Sequence, residues 1–403
     1  MKKTVCLILC TCILFAVAGC SQESGATTTP TVHKVTVPAE TTTPTNPTTA
    51  TAPTEESSAD YESPLAAISL PLILQEKTSN DGKVIARYSH QDVSITLPDA
   101  DVAQIITLDM LNRIDQTAET AISIFEDAQS DYSGQADWYP YSYSINYEVS
   151  RLDENILSLS GIESVYDRNP RSVQNAISLT YDLTTGEVLV LRTIFHEENF
   201  ADALCEMIIN GLKDRSEELY ADYENIIKSV FNTNVPIENW YFSNEGLCFY
   251  FSPYEIAPYS AGTVVSTIPY ENLSGLLKDA YFPSEQLAYR GAVLVSPLRN
   301  DGIPEGLTQF AELKLDSSGE RFILTSDGSI SNIRIFQKNH DSNSFESEGM
   351  VFAMAGMGPS DAIILELSKN NANETISISF DSYGSTQTLH LTQDSDSTWL
   401  FTK

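Results

Sequence analysis

The stretches DADVAQIITLDMLNRIDQTAETAISIFED (99–127) and YSYSINYEV (141–149) place this chain in the α+β class of folds. In the first stretch the apolar residues recur every three to four positions, which is typical of an amphipathic helix. They are Val102, Ile106, Met110, Ile114, Ala118, Ile122 and Phe125. In the second stretch polar residues alternate with Tyr141, Tyr143, Ile145, Tyr147 and Val149, as in a strand with one buried face. The two patterns predict a long helix beside an antiparallel sheet.

The patterns on either side extend this domain and add a second one. Further strands are predicted at 70–74, 85–97, 157–159, 177–181, 188–191, 240–242 and 247–251, and helices at 197–231 and 271–278. Gly186, at the end of a predicted hairpin turn, suits a left-handed backbone. After about Gly291 only short alternating runs remain, at 310–315, 321–325, 330–336, 362–367, 376–380 and 388–391. Strands at this spacing without helices predict an all-β domain, a sandwich.

The first twenty residues predict export and a lipid anchor. Lys2 and Lys3 precede an apolar run over 5–17, which is too short to span a bilayer core of about 30 Å and fits a signal peptide. Val17-Ala18-Gly19-Cys20 resembles the bacterial lipobox, whose cysteine receives a diacylglyceryl group. We expect an acylated Cys20, carrying chains such as palmitate, on the outer face of the cell membrane of a Gram-positive bacterium.

The segment that follows predicts a disordered stalk. Thr, Pro, Ala, Ser and Glu dominate residues 21 to about 62, and such a composition cannot bury enough apolar surface to fold. Fully stretched, it would reach roughly 100 Å. The predicted organisation is a signal peptide (1–19), a stalk (20–62), an α+β domain (63–290) and a β-sandwich domain (291–403).

The charge balance excludes one class of partner and favours another. The formal charge is −32, and loss of Lys2 and Lys3 makes it about −34, with 21 of the 23 basic residues left against 55 acidic ones. No run of Lys or Arg follows the signal peptide, so nucleic-acid binding, which needs clustered cations, is excluded. Such a body attracts basic proteins or cations, although solubility alone also explains the charge.

Two cysteines besides Cys20 remain after the signal peptide. Cys205 lies in a helical pattern and Cys248 in a strand pattern, and each is a good substitute for a small apolar core residue. We expect two buried thiols, with a single disulfide between them as the alternative.

The most distinctive segment is FYFSPYEIAPYSAG (249–262), which runs on into TIPYENL (267–273). Together with YDLTTG (181–186), it resembles a paired extracellular domain of unknown function found in Firmicutes. That domain forms the extracellular part of the lysozyme-sensing anti-sigma-V factor and precedes the catalytic domain of a peptidoglycan deacetylase. The resemblance covers about residues 66–290 and implies an envelope-binding role, with lysozyme or wall material as the partner.

The sequence departs from that family in one loop and in its anchor. Family members often carry a Gly-Gly-Ala-His turn where VYDRNPR (165–171) stands here, so the role of that turn does not carry over. The cytoplasmic segment and membrane-spanning helix of the anti-sigma factor have no counterpart pattern in this sequence. Signalling by proteolysis of a transmembrane anchor is therefore not implied.

Tyr254 and Tyr259 are the candidate binding residues. In a structural interpretation, Pro253 and Pro258 fix the backbone and end the preceding strand, while both tyrosine rings are buried. Tyrosine is also among the residues that contribute most to protein interfaces, so a contact surface is the other interpretation.

We find no catalytic or metal-binding motif in the sequence. The histidines, His33, His90, His196, His340 and His390, lack the spacing of a metal site. Asp381 partly matches the Asp-Asp motif of the deacetylases, but Ser382 replaces the second Asp, and we expect a hairpin turn. His196-Glu197-Glu198 lacks a second His, and Asp394-x-Asp396-x-Thr398 lacks the Gly and Glu of a calcium loop. The sequence thus predicts no catalytic residue, metal or cofactor.

The leading functional hypothesis is a non-enzymatic binding lipoprotein of the cell envelope, with lysozyme or peptidoglycan as its ligand. One alternative is a divergent peptidoglycan-acting enzyme, since 55 acidic residues produce some close carboxylate pairs in any fold. The other alternative is a structural or assembly factor of the envelope.

Overall fold

The computed structural model describes residues 66–167, 173–196, 200–232, 237–283, 291–298, 302–315, 319–340, 346–367, 374–382, 384–393 and 399–402. The predicted signal peptide, Cys20 and the stalk lie outside the described residues, as do 168–171 of the divergent loop, Glu197 and Glu198, and the segment 394–398.

Helices and strands alternate in the first part of the described chain, and strands alone follow. The helices are α1 (Ala100–Asp131), α2 (Phe200–Gly211) and α3 (Tyr223–Phe231), with short 3₁₀ helices at Leu191–Ile194, Lys213–Glu218, Tyr259–Ala261, Tyr270–Leu273 and Asp279–Tyr281. The strands are β1 (Ala67–Ser69), β2 (Leu72–Thr78), β3 (Val84–Gln91), β4 (Ser94–Thr96), β5 (Tyr141–Leu152), β6 (Ile156–Tyr166), β7 (Val173–Asp182), β8 (Trp240–Phe242), β9 (Gly246–Phe251), β10 (Val264–Pro269), β11 (Val293–Pro297), β12 (Thr308–Lys314), β13 (Glu320–Ser326), β14 (Ile330–His340), β15 (Glu346–Met357), β16 (Asp361–Leu367), β17 (Glu374–Ser382), β18 (Ser385–Gln393) and β19 (Trp399–Thr402). An α+β region followed by an all-β region confirms the predicted class.

Helix α1 packs on a five-stranded sheet in the order β2-β3-β5-β6-β7. It begins at Asp99, whose carboxylate accepts hydrogen bonds from the N–H groups of Asp101 (3.0 Å) and Val102 (3.2 Å). The sheet is antiparallel except between β3 and β5, which run parallel because α1 forms the crossover between them. In the second half of α1 the buried residues are Ala121, Ile124 and Ala128, while Ile122, predicted to be apolar core, is 57% exposed.

Helices α2 and α3 pack on a three-stranded sheet in the order β10-β9-β8. Every residue of β9, the central strand, is buried. One face of this sheet packs against helices α2 and α3, and its edge strand β8 contacts β6 and β7 of the first sheet. The core of this layer contains Leu204, Ile208, Ile227, Phe242, Leu247 and Phe249.

The all-β region holds two sheets around a shared core. One has seven strands in the order β19-β18-β17-β14-β15-β1-β4, and the other has four in the order β11-β13-β16-β12. The shared core contains Val293, Leu313, Phe322 and Leu324 from the smaller sheet and Ile333, Ile335, Phe352 and Met354 from the larger one. Two layers with a common core form a sandwich.

Strands from the start of the described chain complete the larger sheet. β1 pairs with β15, with Ala67 opposite Met354, and β4 pairs with β1. The Leu70 N–H also donates to the Val351 carbonyl at 2.8 Å. Sheet hydrogen bonds therefore cross the predicted boundary at residue 290, and independent folding of the two domains stays a prediction.

Two local predictions are wrong. Residues 188–191 do not form a strand, since Val188 makes only an isolated bridge to Tyr181. The chain leaves the sheet there because Leu191 and Ile194 enter the core of the helical layer. Residues 271–278 do not form the predicted helix, because the 3₁₀ helix Tyr270–Leu273 ends at Leu273.

The two cysteines agree with the expectation of buried thiols. Cys205 and Cys248 are both buried and unbridged. The Sγ atom of Cys248 lies 3.3 Å from the Thr267 hydroxyl, and burial raises the pKa of the Cys205 thiol.

Candidate functional site

The turn after β9 carries both candidate tyrosines. The Tyr254 N–H donates to the Ala257 carbonyl at 3.0 Å, and the Glu255 N–H donates to the Ser252 carbonyl at 3.1 Å. The Ser252 N–H donates in turn to the Glu255 carboxylate at 2.7 Å. Because Ile256 and Ala257 are buried, the turn is held to the body of the protein at its centre.

Tyr254 has an unusual backbone conformation for its residue type. Its φ is +74°, in the left-handed region, where the Cβ of a residue other than glycine crowds the backbone. Among the non-glycine residues that the structure describes, Asn332 is the other one with a positive φ, and asparagine tolerates it. The Tyr254 side chain is 57% exposed, so burial of its ring does not account for the strain. Strain of this kind is more common at functional positions.

The ring of Tyr254 stands beside that of Tyr259. Their centroids are 5.7 Å apart, and the ring planes meet at 34°. Tyr259 is half-buried and begins the 3₁₀ helix Tyr259–Ala261. Gly262 caps this helix with φ of 65° and ψ of −153°, a conformation found almost only in glycine. The structure thus brings the two candidates together. The structural interpretation, in which both rings are buried, is wrong for Tyr254.

Glu255 places a carboxylate in the same turn. Partial burial raises its pKa above the ordinary value, and the hydrogen bond from the Ser252 N–H opposes that rise. Protonation of Glu255 would weaken the bond to Ser252 that closes the turn.

A cleft of about 420 Å³ opens between the first sheet and the three-stranded sheet. Two hydrogen bonds join the sheets beside it: the Ala176 N–H donates to the Ser252 hydroxyl at 3.1 Å, and the Ser178 hydroxyl donates to the Trp240 carbonyl at 2.6 Å. Since Ser252 begins the turn that carries Tyr254, the turn and the cleft share a border.

Two tyrosines and one asparagine contribute the main polar groups of the cleft. The rings of Tyr241 and Tyr250 are 6.3 Å apart, and burial raises the pKa of both hydroxyls. The Oδ1 atom of Asn146 is buried and has no hydrogen-bond partner among the described residues. Sequence reasoning missed all three residues. The one available signal was that Asn146 occupies a polar position in the alternating pattern of β5, on the face opposite α1.

Tyr270, in the segment 267–273, has a structural role. The Tyr270 hydroxyl donates to the Ser243 carbonyl at 2.8 Å and accepts from Arg151 Nη1 at 2.7 Å. The buried guanidinium of Arg151 also lies 2.6 Å from the Asp153 carboxylate and donates to the Tyr281 carbonyl at 2.7 Å. Arg151 thereby joins the first sheet to the helical layer.

Asp381 lies in β17 and pairs with Thr386 one position before the hairpin closes at Ser382, so it is not itself the turn residue we expected. Its carboxylate accepts hydrogen bonds from Asn332 (2.5 Å) and Thr386 (2.6 Å) of the two neighbouring strands. In the part of the chain that the structure describes, no three His, Cys, Asp or Glu side chains are placed to hold a metal ion. Within the same ranges, no helix combines the length and the apolar composition needed to cross a membrane.

Comparisons with known proteins identify one domain. Residues 192–271 match the model of a family described as a protein of unknown function, DUF3298. A solved structure of a DUF3298 family member from Bacteroides fragilis NCTC 9343 is 17% identical, covers 53% of this chain and 94% of its own, and superposes with a TM-score of 0.42. A DUF3298 family protein from Pseudomonas aeruginosa PAO1 is 16% identical, covers 54% and 98%, and has a TM-score of 0.36. No curated protein matches the sequence. Over residues 192–271, which include the turn with Tyr254 and Tyr259, this chain thus carries a DUF3298 domain.

Proposed function

We propose that this protein is a non-enzymatic, lipid-anchored binding protein of the cell envelope that captures a basic wall-lytic protein of the lysozyme class. The acylated Cys20 holds the chain at the outer face of the membrane, and the stalk of residues 20–62 sets the body away from it. The contact surface is the turn that presents Tyr254 and Tyr259. The observation that carries this proposal is an exposed tyrosine held in a strained backbone conformation.

Tyrosine suits such a contact because it combines a large apolar ring with a hydroxyl that forms hydrogen bonds. Residues of this type often contribute most of the affinity of a protein interface. The fixed turn and the neighbouring ring of Tyr259 also limit the positions that Tyr254 can take. A side chain that is already ordered loses less entropy when a partner binds.

The charge of the body favours a basic partner. With 55 acidic against 23 basic residues in the whole chain, the electrostatic field attracts a cationic protein over distances longer than a hydrogen bond. Charge of this kind raises the rate of association more than it slows dissociation. The resemblance to the extracellular part of the lysozyme-sensing anti-sigma-V factor supports the choice of lysozyme among basic proteins.

The anchor is tested by metabolic labelling with an alkyne fatty acid. We expect the wild-type chain to be labelled and found with membranes, and the Cys20→Ala chain to be unlabelled and unprocessed or released. An unlabelled wild-type chain would end the lipoprotein proposal.

The binding surface is tested by equilibrium binding of the purified chain to immobilised hen-type lysozyme. Tyr254→Gly and Tyr259→Ala should each weaken binding about tenfold or more, which corresponds to about 1.4 kcal/mol. Tyr139→Gly is the matched control, because Tyr139 is 63% exposed and lies outside the turn. Equal losses in all three variants would point to a general effect of aromatic surface and contradict the proposed contact.

A further inference from the structure

The cleft between the two sheets has properties that the capture of a basic protein does not use. Its volume of about 420 Å³ falls within the range of about 300–1,000 Å³ that is usual for small-molecule sites. Its lining combines hydroxyl and amide groups, among them Ser144, Asn146, Ser160 and Gln174, with the two rings of Tyr241 and Tyr250. Such a mixture can both donate and accept hydrogen bonds in several directions.

Asn146 leaves an acceptor in the cleft without a partner. Its Oδ1 atom is buried, and no described residue donates a hydrogen bond to it. A buried acceptor in this state is uncommon in folded proteins and costs stability unless a donor from outside the fold, a water molecule or a ligand, reaches it. Position 161 beside it has no room for a side chain, because a Cβ on Gly161 would come within 2.3 Å of the Asn146 carbonyl oxygen.

Tyr241 and Tyr250 give the cleft an apolar wall with hydroxyl edges. Their planes meet at 31°, and Tyr250 is buried while Tyr241 is half-buried, so Tyr241 offers most of the accessible ring surface. The face of an aromatic ring carries partial negative charge and attracts the weakly positive C–H face of a ring-shaped polyol. Both hydroxyls are neutral donors near pH 7, and burial raises their pKa further.

The charges around the cleft disfavour an anionic ligand. None of the described residues that line it is Lys, Arg or His, so there is no cation to bind a phosphate or carboxylate. The one charged lining residue is Glu148, whose carboxylate repels anions and accepts hydrogen bonds from hydroxyl groups.

We infer that the cleft binds a short neutral saccharide, with Asn146 Oδ1 accepting a hydrogen bond from a hydroxyl or acetamido N–H and Tyr241 and Tyr250 packing against the sugar rings. This inference goes beyond the proposed capture of a basic protein, because it concerns the cleft that borders the turn, not the turn itself, and a different class of ligand.

The test is titration of the purified full-length chain in detergent with the trisaccharide of N-acetylglucosamine, followed by NMR or calorimetry. Asn146→Leu keeps the branched shape and the number of heavy atoms and removes the acceptor. We expect it to weaken saccharide binding at least about tenfold while leaving the free energy of unfolding unchanged or higher, since the unsatisfied group is gone. A variant that merely damages the fold would lose stability together with binding.

Tyr254→Gly separates this inference from the proposed function. It should weaken lysozyme binding and leave saccharide binding unchanged, whereas Asn146→Leu should do the reverse. No saccharide binding by the wild-type chain at about 10 mM, ten times the concentration that half-fills a millimolar site, would overturn the inference. Unchanged binding by Asn146→Leu would overturn it as well.

Discussion

Replacing Tyr254 with glycine and, separately, with alanine isolates backbone strain from the loss of the ring. Both variants lose the ring and its contact with Tyr259, so that contribution cancels when the two are compared. Alanine keeps a Cβ and therefore keeps the strain of a positive φ, whereas glycine adopts φ of +74° without it. The two variants thus differ mainly in backbone terms.

The expected difference follows from two opposing contributions. A non-glycine residue in the left-handed region costs about 1–2 kcal/mol, which only the alanine variant retains. Glycine gives the unfolded chain more freedom, which costs the glycine variant about 0.5–1 kcal/mol. We therefore expect the free energy of unfolding to be about 0–1.5 kcal/mol higher for Tyr254→Gly than for Tyr254→Ala.

Urea denaturation followed by circular dichroism measures this difference. Tyr139 provides the matched control, because it is 63% exposed and its φ is not positive. At Tyr139 the order should reverse, with the glycine variant less stable than the alanine variant by about 0.4–1 kcal/mol. If Tyr254→Gly is instead less stable than Tyr254→Ala by as much as at Tyr139, the backbone at Tyr254 is not strained, and the observation that supports its contact role is lost.

Three further predictions concern the body of the protein. Burial raises the pKa of Tyr147 and Tyr270 to about 12, so ionisation of these tyrosines favours the unfolded chain. The free energy of unfolding should be constant below about pH 10 and fall by about 2–3 kcal/mol per tyrosine by pH 12. Urea titrations across that range measure it, and a flat profile would refute the prediction. Arg151→Met should lower the free energy of unfolding by about 3 kcal/mol, because the Asp153 carboxylate, the Tyr270 hydroxyl and the Tyr281 carbonyl lose their donor. A change below about 1 kcal/mol would show that Arg151 does not join the layers. Limited proteolysis near 291–306 should leave two fragments that elute together in gel filtration until denaturant is added, because β1 pairs with β15 across the predicted boundary. Fragments that separate without denaturant would show two independent domains.

The long helix shows how far periodicity predicts burial. Val102, Ile106, Met110 and Ile114 are buried as the pattern indicates. A step of four residues, however, turns the helix by about 400°, about 40° beyond a full turn, so a series continued in fours leaves the sheet. Ile122 is exposed for this reason, and Ala121, one position earlier, is buried instead.

Strand β15 shows what alternation cannot detect. Residues 350–357 are all buried, since Phe352 and Met354 face the sandwich core while Met350, Ala353 and Ala355 face the core under α1. A strand covered on both faces has no alternation of apolar and polar residues, so the search for alternating runs did not predict this strand. The link between the two halves of the chain was missed together with this strand.

One part of the candidate site is formed by residues close together in the sequence, and the other part by residues far apart. Tyr254 and Tyr259 are five positions apart, and the turn that joins them follows from the local pattern of prolines and tyrosines. The cleft joins Asn146 of β5 to Tyr241 and Tyr250, which lie about a hundred residues later in the chain. Only the packing of one sheet against the other brings these groups together, and no periodicity encodes that packing.

The capture of a basic partner is tested most directly by surface plasmon resonance of the wild-type chain over immobilised hen-type lysozyme at two salt concentrations. The Debye length is about 30 Å at 0.01 M ionic strength and about 8 Å at 0.15 M, so an acidic body loses most of its long-range attraction between them. We predict that the association rate falls about tenfold or more with added salt while the dissociation rate changes far less. Absence of binding by about 10 µM protein in low salt, where a micromolar complex would be nearly saturated, would contradict the proposal and remove lysozyme as the partner.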